Sequence, residues 1–124
     1  MKFAEDNLND GYVITAYDSD YVAVNGKNFR QSMILQQTRM QQAWPVTDIS
    51  QLQAAHIEQI LDFSPEVVII GTGDKLIFPA TEIYAGLIRQ GIGVEFMDTG
   101  AACRTYNILS GEGRNVVAGI ILPE

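Results

Sequence analysis

Two turns hold most of the side chains that could bind or react. Gly71-Thr72-Gly73-Asp74-Lys75 places a hydroxyl, a carboxylate and an ammonium on glycine-freed backbone, and Asp98-Thr99-Gly100 opens a segment containing Cys103, Arg104 and Asn107. Glycine lets main-chain amides come close to a phosphate or carboxylate, and a helix N-terminus behind the turn adds positive potential. Lys75 and Arg104 would reinforce that potential, and Arg104 and Asn107, three apart, share a helix face. Arg114 is expected to approach from the last turn. The candidate ligand or partner face is therefore Gly71, Thr72, Gly73, Asp74, Lys75, Asp98, Thr99, Arg104, Asn107 and Arg114. A dinucleotide fingerprint is incomplete, because Leu76 stands where a third glycine belongs, so plain turn glycines are the stronger reading.

Three features that suggest catalysis read better as structure. Asp98-Thr99-Gly100 matches the catalytic triplet of aspartic proteases, but that chemistry needs an all-β chain with much of its cleft built after the triplet, and only 24 residues follow here. Asp98 or Thr99 is more simply the N-cap of a helix over Ala101 to Leu109. Cys103 falls in the first turns of that helix, where the dipole could lower its pKa, yet no histidine lies beside it and a buried, inert thiol is expected. His56, the single histidine, has no visible catalytic partner and reads as a core-edge residue satisfied by a backbone carbonyl. No catalytic residue, metal site or cofactor is assigned.

The elements that position these residues follow from apolar pattern. Val67 to Ile70 is an unbroken apolar run, and with Val94 to Met97 and Val116 to Leu122 it is expected to form adjacent strands buried on both faces of a helix-covered parallel sheet, with ligand crevices at the strands' carboxyl ends. The last run must be central, and its direction is open. Ile83, Tyr84, Leu87 and Ile88 stripe a helix from about Pro79 to a C′ glycine at Gly91. Ile49, Leu52, His56, Ile60 and Phe63 stripe another, capped by Asp48 with Gln51 and ending near Asp62. Upstream, Tyr12 to Tyr17 and Tyr21 to Val24 read as a hairpin around Asp18-Ser19-Asp20. Asn25-Gly26 is the next reversal, and Ser32 to Gln36 is a third extended piece with Met33 and Leu35 on one face. Thr38 to Pro45 is a polar connector, with Trp44 a lid over the core rather than a partner anchor. Met1 to Asp10 is a loose lead-in.

At 124 residues the chain is one domain, and its net charge of −7 with pI near 4.5 argues against a nucleic-acid-binding surface, leaving room only for a local basic patch. One cysteine excludes an internal disulfide and fits a reducing compartment. The start lacks a signal or transit composition and no run reaches membrane-span length, so a cytoplasmic location is expected.

From Val67 to Pro123, the segments IIGTG, QGIGVEFMDTGAACRTYNIL and GEGRNVVAGIILP resemble the family of mitochondrial NADH dehydrogenase (complex I) assembly factor 3 and its bacterial stand-alone relatives, a domain of unknown function. The resemblance implies a three-layer α/β fold whose mixed sheet has its last strand antiparallel to its neighbours in the middle, and it implies no established enzymatic activity. The expected architecture is one three-layer α/β domain with a mixed, mostly parallel central sheet plus an N-terminal antiparallel β hairpin. Two function classes follow. One is a non-enzymatic interaction or assembly protein recruiting an unknown protein partner through the hairpin edge, Trp44 or the glycine-turn face. The other is a protein binding a small anionic ligand, with or without catalysis, at the strand ends.

Overall fold

The computed structural model describes residues 11–123, so the expected lead-in over Met1 to Asp10 lies outside the described residues. Strands β1 (Ile14–Asp18), β2 (Tyr21–Val24) and β3 (Lys27–Phe29) form an antiparallel sheet in that order. The expected hairpin thus gains a third strand. Asn25 and Gly26 both take positive φ, 51° and 85°, as a tight two-residue reversal between twisted strands requires.

The second sheet has five strands in the order β5-β4-β8-β6-β7, formed by β4 (Met33–Gln36), β5 (Arg39–Gln41), β6 (Val67–Gly71), β7 (Gly93–Met97) and β8 (Val116–Ile120). Strand β5 arises inside the expected polar connector; Arg39 is exposed, Met40 and Gln41 are half-buried, and one apolar residue among polar ones does not mark a strand by hydropathy. Strand β6 pairs parallel with both β7 and β8, whereas β4 pairs antiparallel with β5 and β8. The last strand is therefore parallel to β6 and antiparallel only to β4. This corrects the direction implied by the family resemblance.

A second correction concerns Val94 to Met97. Among the described residues the run forms β7 at the sheet's edge, with Glu95 exposed and only Phe96 buried. Alternation of one charged residue among apolar ones is what an edge strand tolerates, and the run's overall apolarity concealed it. Strands β6 and β8 hold the predicted central places, and β8 is buried throughout.

Three helices complete the layers: α1 (Ala54–Leu61), α2 (Thr81–Arg89) and α3 (Thr99–Gly111). Period-two alternation sends Ile34, Val68, Ile70 and Val117 to one face, where they pack with Ile57 and Ile60 of α1 and Leu87 of α2. Met33, Leu35, Ile69, Ala118 and Ile120 face the other way, onto Ala102, Cys103 and Tyr106 of α3 and Ile14, Val22 and Val24 of the small sheet. Trp44 is the lid expected of it: it is 2% exposed, and its ring lies edge-on to His56 at 6.3 Å.

The helix after Asp48 starts later than its stripe suggested. Asp48 caps a single 3-10 turn, Ile49–Gln51, accepting from Ser50 N–H, and α1 begins only at Ala54. There Gln53 and His56 form a reciprocal cap, with His56 Nδ1 accepting the Gln53 amide at 2.9 Å. His56 is accordingly satisfied by a backbone N–H and not by a carbonyl. The α2 helix ends at Arg89, with Gln90 as its C-cap and Gly91, φ 73°, as the C′ residue.

Candidate functional site

The carboxyl ends of β6 and β7 lie side by side, Gly71 opposite Met97, and Thr72 N–H donates to the Met97 carbonyl at 2.8 Å. The two glycine-bearing turns therefore meet. Helix α3 begins at the same edge, with Asp98 Oδ1 accepting Ala101 N–H at 2.9 Å as the predicted N-cap. Gly71 is required by close approach: a Cβ there would stand 3.1 Å from both the Thr99 Cα and the Ala102 Cβ.

Thr99 is the buried clip between the turns. Its Oγ1 accepts Gly73 N–H at 2.9 Å and donates to the Ile121 carbonyl at 3.2 Å, while its own N–H donates to the Gly73 carbonyl at 2.8 Å. Thr72 Oγ1 closes the next loop, donating to the Lys75 carbonyl at 2.5 Å and accepting Ile77 N–H at 3.2 Å. Beside these bonds opens a cleft of about 280 Å³ lined by Ser19, Thr47, Asp48, Thr72, Gly73, Asp74, Lys75, Ile77, Ile121 and Pro123. Hydrogen bonds from Ser50 hold the Asp48 carboxyl below the usual carboxylate range.

That arrangement changes what the turns can do chemically. The Gly73 amide that would face an anion is donated to Thr99, and the Asp98 carboxylate already occupies the start of α3. Two carboxylates, Asp48 and Asp74, line the cleft against one cation, Lys75.

The remaining candidates separate. Arg104 is exposed and bonds through Nη1 to the Tyr17 hydroxyl, with its guanidinium 5.8 Å from that ring's centre. Asn107 clamps β1, accepting Ile14 N–H at 3.0 Å and donating to the Ile14 carbonyl at 2.7 Å. Arg114 pairs with Glu66 at 3.2 Å, just before β8 and β6 begin. It lies at the amino ends of those strands, across the sheet from the turns, so it does not join the face as expected. Cys103 is fully buried, and desolvation pushes its thiol up to about 12.

Sequence reasoning missed the segment immediately after Lys75. Leu76, Ile77 and Phe78 are 49%, 47% and 67% exposed, three consecutive large apolar side chains outside any helix or strand. Phe78 leans edge-on against Phe96 of β7 at 6.0 Å, and Tyr84 of α2 meets the same ring at 4.9 Å. Ile88, one turn after Tyr84 on α2, is 53% exposed. The available signal was an apolar triplet between a glycine turn and Pro79, with no period to bury it.

Residues 14–121 match the model of a protein family of unknown function, DUF498/DUF598, and the chain belongs to that family. It is 31% identical over 122 residues to the 13 kDa major membrane protein of Francisella tularensis, covering 98% of this chain and 99% of that protein. It is 34% identical over 114 residues to NADH dehydrogenase [ubiquinone] 1 alpha subcomplex assembly factor 3 of Rattus norvegicus, covering 89% of this chain and 60% of the longer relative. A crystal structure from Bordetella parapertussis superimposes with a TM-score of 0.84 at 37% identity, covering 91% of this chain and 96% of that one. An outer membrane protein of Bartonella henselae gives 0.74 at 28% identity, covering 92% and 97%. Among the described residues of this chain, no helix is long and apolar enough to cross a membrane.

Proposed function

We propose that this chain is a non-enzymatic interaction protein that recruits a protein partner through the apolar strip beside the glycine turn. The observation that carries the reading is the exposed Leu76-Ile77-Phe78 triplet, set against Phe96 and Tyr84 at the open edge of the sheet. Consecutive large apolar side chains left in water cost solvation, and exposed Phe78, braced against the buried Phe96 ring, offers a contact with less conformational entropy to lose. The assembly-factor relatives carry a name that implies protein partners, and the chain spans about 60% of the rat protein. That kinship favours the same class of role without naming the partner.

The alternative, a small anion bound in the cleft over Gly71 to Lys75, has Lys75 as its support and the internally satisfied Gly73 amide against it. A cytoplasmic location goes with the interaction reading, on the strength of the single free cysteine. Recovery of the native protein in a washed membrane fraction would reject that location.

Replacing Leu76 and Phe78 together by Ser tests the central claim. Both side chains are exposed, so the circular dichroism spectrum and melting temperature are expected to stay near those of the wild type. Affinity capture should then lose proteins that wild type and a control Ile108→Ser variant, altered at a 60% exposed site on α3, both retain. Identical captured sets for all three would overturn the reading. A phosphate-dependent rise in melting temperature, abolished by Lys75→Ala, would instead support the anion alternative.

A further inference from the structure

The opposite edge of the sheet has a different character. From Tyr21 to Thr47 the chain carries Lys27, Arg30 and Arg39 and not one carboxylate, although the whole protein has 15 acidic residues against 8 basic ones. Charge is therefore segregated, and the folded chain concentrates part of the basic segment at one groove.

That groove, of about 350 Å³, runs between β3 and β5. Phe29, Met33 and Met40 supply its apolar lining, while Lys27 and Arg30 bring the positive charge. Among the described residues strand β3 ends the small sheet and β5 ends the large one, so both walls are edge strands there. Among the described residues Lys27 has no carboxylate within ion-pair distance, its ammonium standing 5.4 Å from the Phe29 ring centre. Arg30 touches Asp20 at 3.2 Å, with both side chains about two-thirds exposed, a contact that another carboxylate can replace at little cost. Arg39 does not contribute, since it lies 4.0 Å over the Phe63 ring and donates to the Asp62 carbonyl.

We infer that this groove binds an extended, acidic peptide segment of a partner protein, added as a strand to the open edge of β5. Its main chain would take the edge amides and carbonyls, alternate apolar side chains would rest on half-buried Met40 and Phe29 above the buried Met33, and its carboxylates would meet Lys27 and Arg30. An edge strand recognises main chain, and an apolar lining accepts side chains. Two cations over such a lining suit a short acidic peptide better than a polyphosphate backbone, which needs a longer basic track. The site is independent of the apolar strip, because β5 and β7 are opposite edges of one sheet, four strand spacings or roughly 19 Å apart.

The test uses a fluorescein-labelled, end-blocked peptide of alternating Val and Glu, about eight residues long, titrated with the full chain and read by fluorescence anisotropy. Saturable binding with a Kd of about 100 µM or tighter at low salt is expected. Lys27→Glu combined with Arg30→Glu should weaken it about tenfold or more, and Lys27→Ala alone by less. A Val-Lys peptide and a Val-Glu peptide N-methylated at alternate amides should each bind at least about tenfold more weakly. The inference is overturned by no binding at millimolar peptide, by equal binding of the Val-Glu and Val-Lys peptides, or by indifference to N-methylation. It is likewise overturned if both variants bind like wild type, or if a thymidine oligonucleotide binds more tightly than the acidic peptide. None of these readouts depends on Leu76 or Phe78, so this site and the proposed apolar strip stand or fall separately.

Discussion

Asn107 and Arg104 share a helix face, yet the fold uses them differently. Asn107 engages both main-chain groups of Ile14 and so fastens the small sheet to α3, whereas exposed Arg104 touches only the Tyr17 side chain. Asn107→Ala leaves a part-buried N–H and C=O without partners, and a loss of about 2–3 kcal/mol in urea unfolding is expected. Arg104→Ala should leave the melting temperature essentially unchanged, and a fall comparable to that of Asn107→Ala would refute the contrast. Cys103 supplies a pH prediction. Its thiol is held at about 12 against an ordinary 9.0, so between those values the folded chain keeps a proton that the unfolded chain has lost. Stability from this group is whole below about pH 9 and falls as pH rises toward about 12, by up to ~1.4 kcal/mol per pH unit. Burial shifts Tyr106 in the same upward direction. Unfolding free energies at about pH 8 and about pH 10.5 should show the decline, shallower in Cys103→Ala. Identical slopes in the two proteins would exclude the thiol as a cause.

At the scale of elements, the tightest constraint lies where Trp44 crosses β8. A Cβ on Gly119 would stand 2.8 and 3.0 Å from Trp44 ring carbons and 3.1 Å from Ile60 Cδ1, so strand, lid and α1 leave no room for a methyl group. Gly119→Ala should destabilise by about 1–3 kcal/mol through overpacking, measured by chemical unfolding, and a neutral result would mean that the lid shifts freely. Much of this scaffold was legible in advance. Strands β6 and β8, the caps at Asp98 and Gly91, and the reversal at Asn25-Gly26 each rest on a short-range rule that tertiary context did not override. Strand β5 was hidden because a three-residue, half-buried edge strand needs no apolar pattern, and the edge position of β7 was hidden because Val94, Phe96 and Met97 outweighed Glu95. The turns at the strand ends were also readable as neighbours. What their side chains do there was not, because the bonds of Thr99 to Gly73 and Ile121 join residues 26 and 22 apart in sequence.

For the molecule as a whole, the edge at β7 is a surface to which a second copy could in principle add a strand. The strand is five residues long and lies beside exposed Leu76 and Phe78, the combination that invites edge-to-edge pairing. Two features oppose it. A net charge of −7 repels copies generally, and Glu95 is the charged side chain on the strand itself. A two-fold antiparallel pairing centred on β7 would set Glu95 opposite its own copy, which is unfavourable, whereas a partner strand with a basic or neutral residue there would meet no such penalty. On this argument Glu95 disfavours pairing with a second copy more than pairing with an unlike strand. Glu95→Val should strengthen self-association by at least about tenfold, seen as a weight-average mass that climbs with concentration in light scattering. Adding Phe78→Ser should return the mass towards wild type, because the apolar strip supplies the other part of the contact. If Glu95→Val scatters like wild type across the same concentrations, the carboxylate is not what opposes self-pairing at this edge.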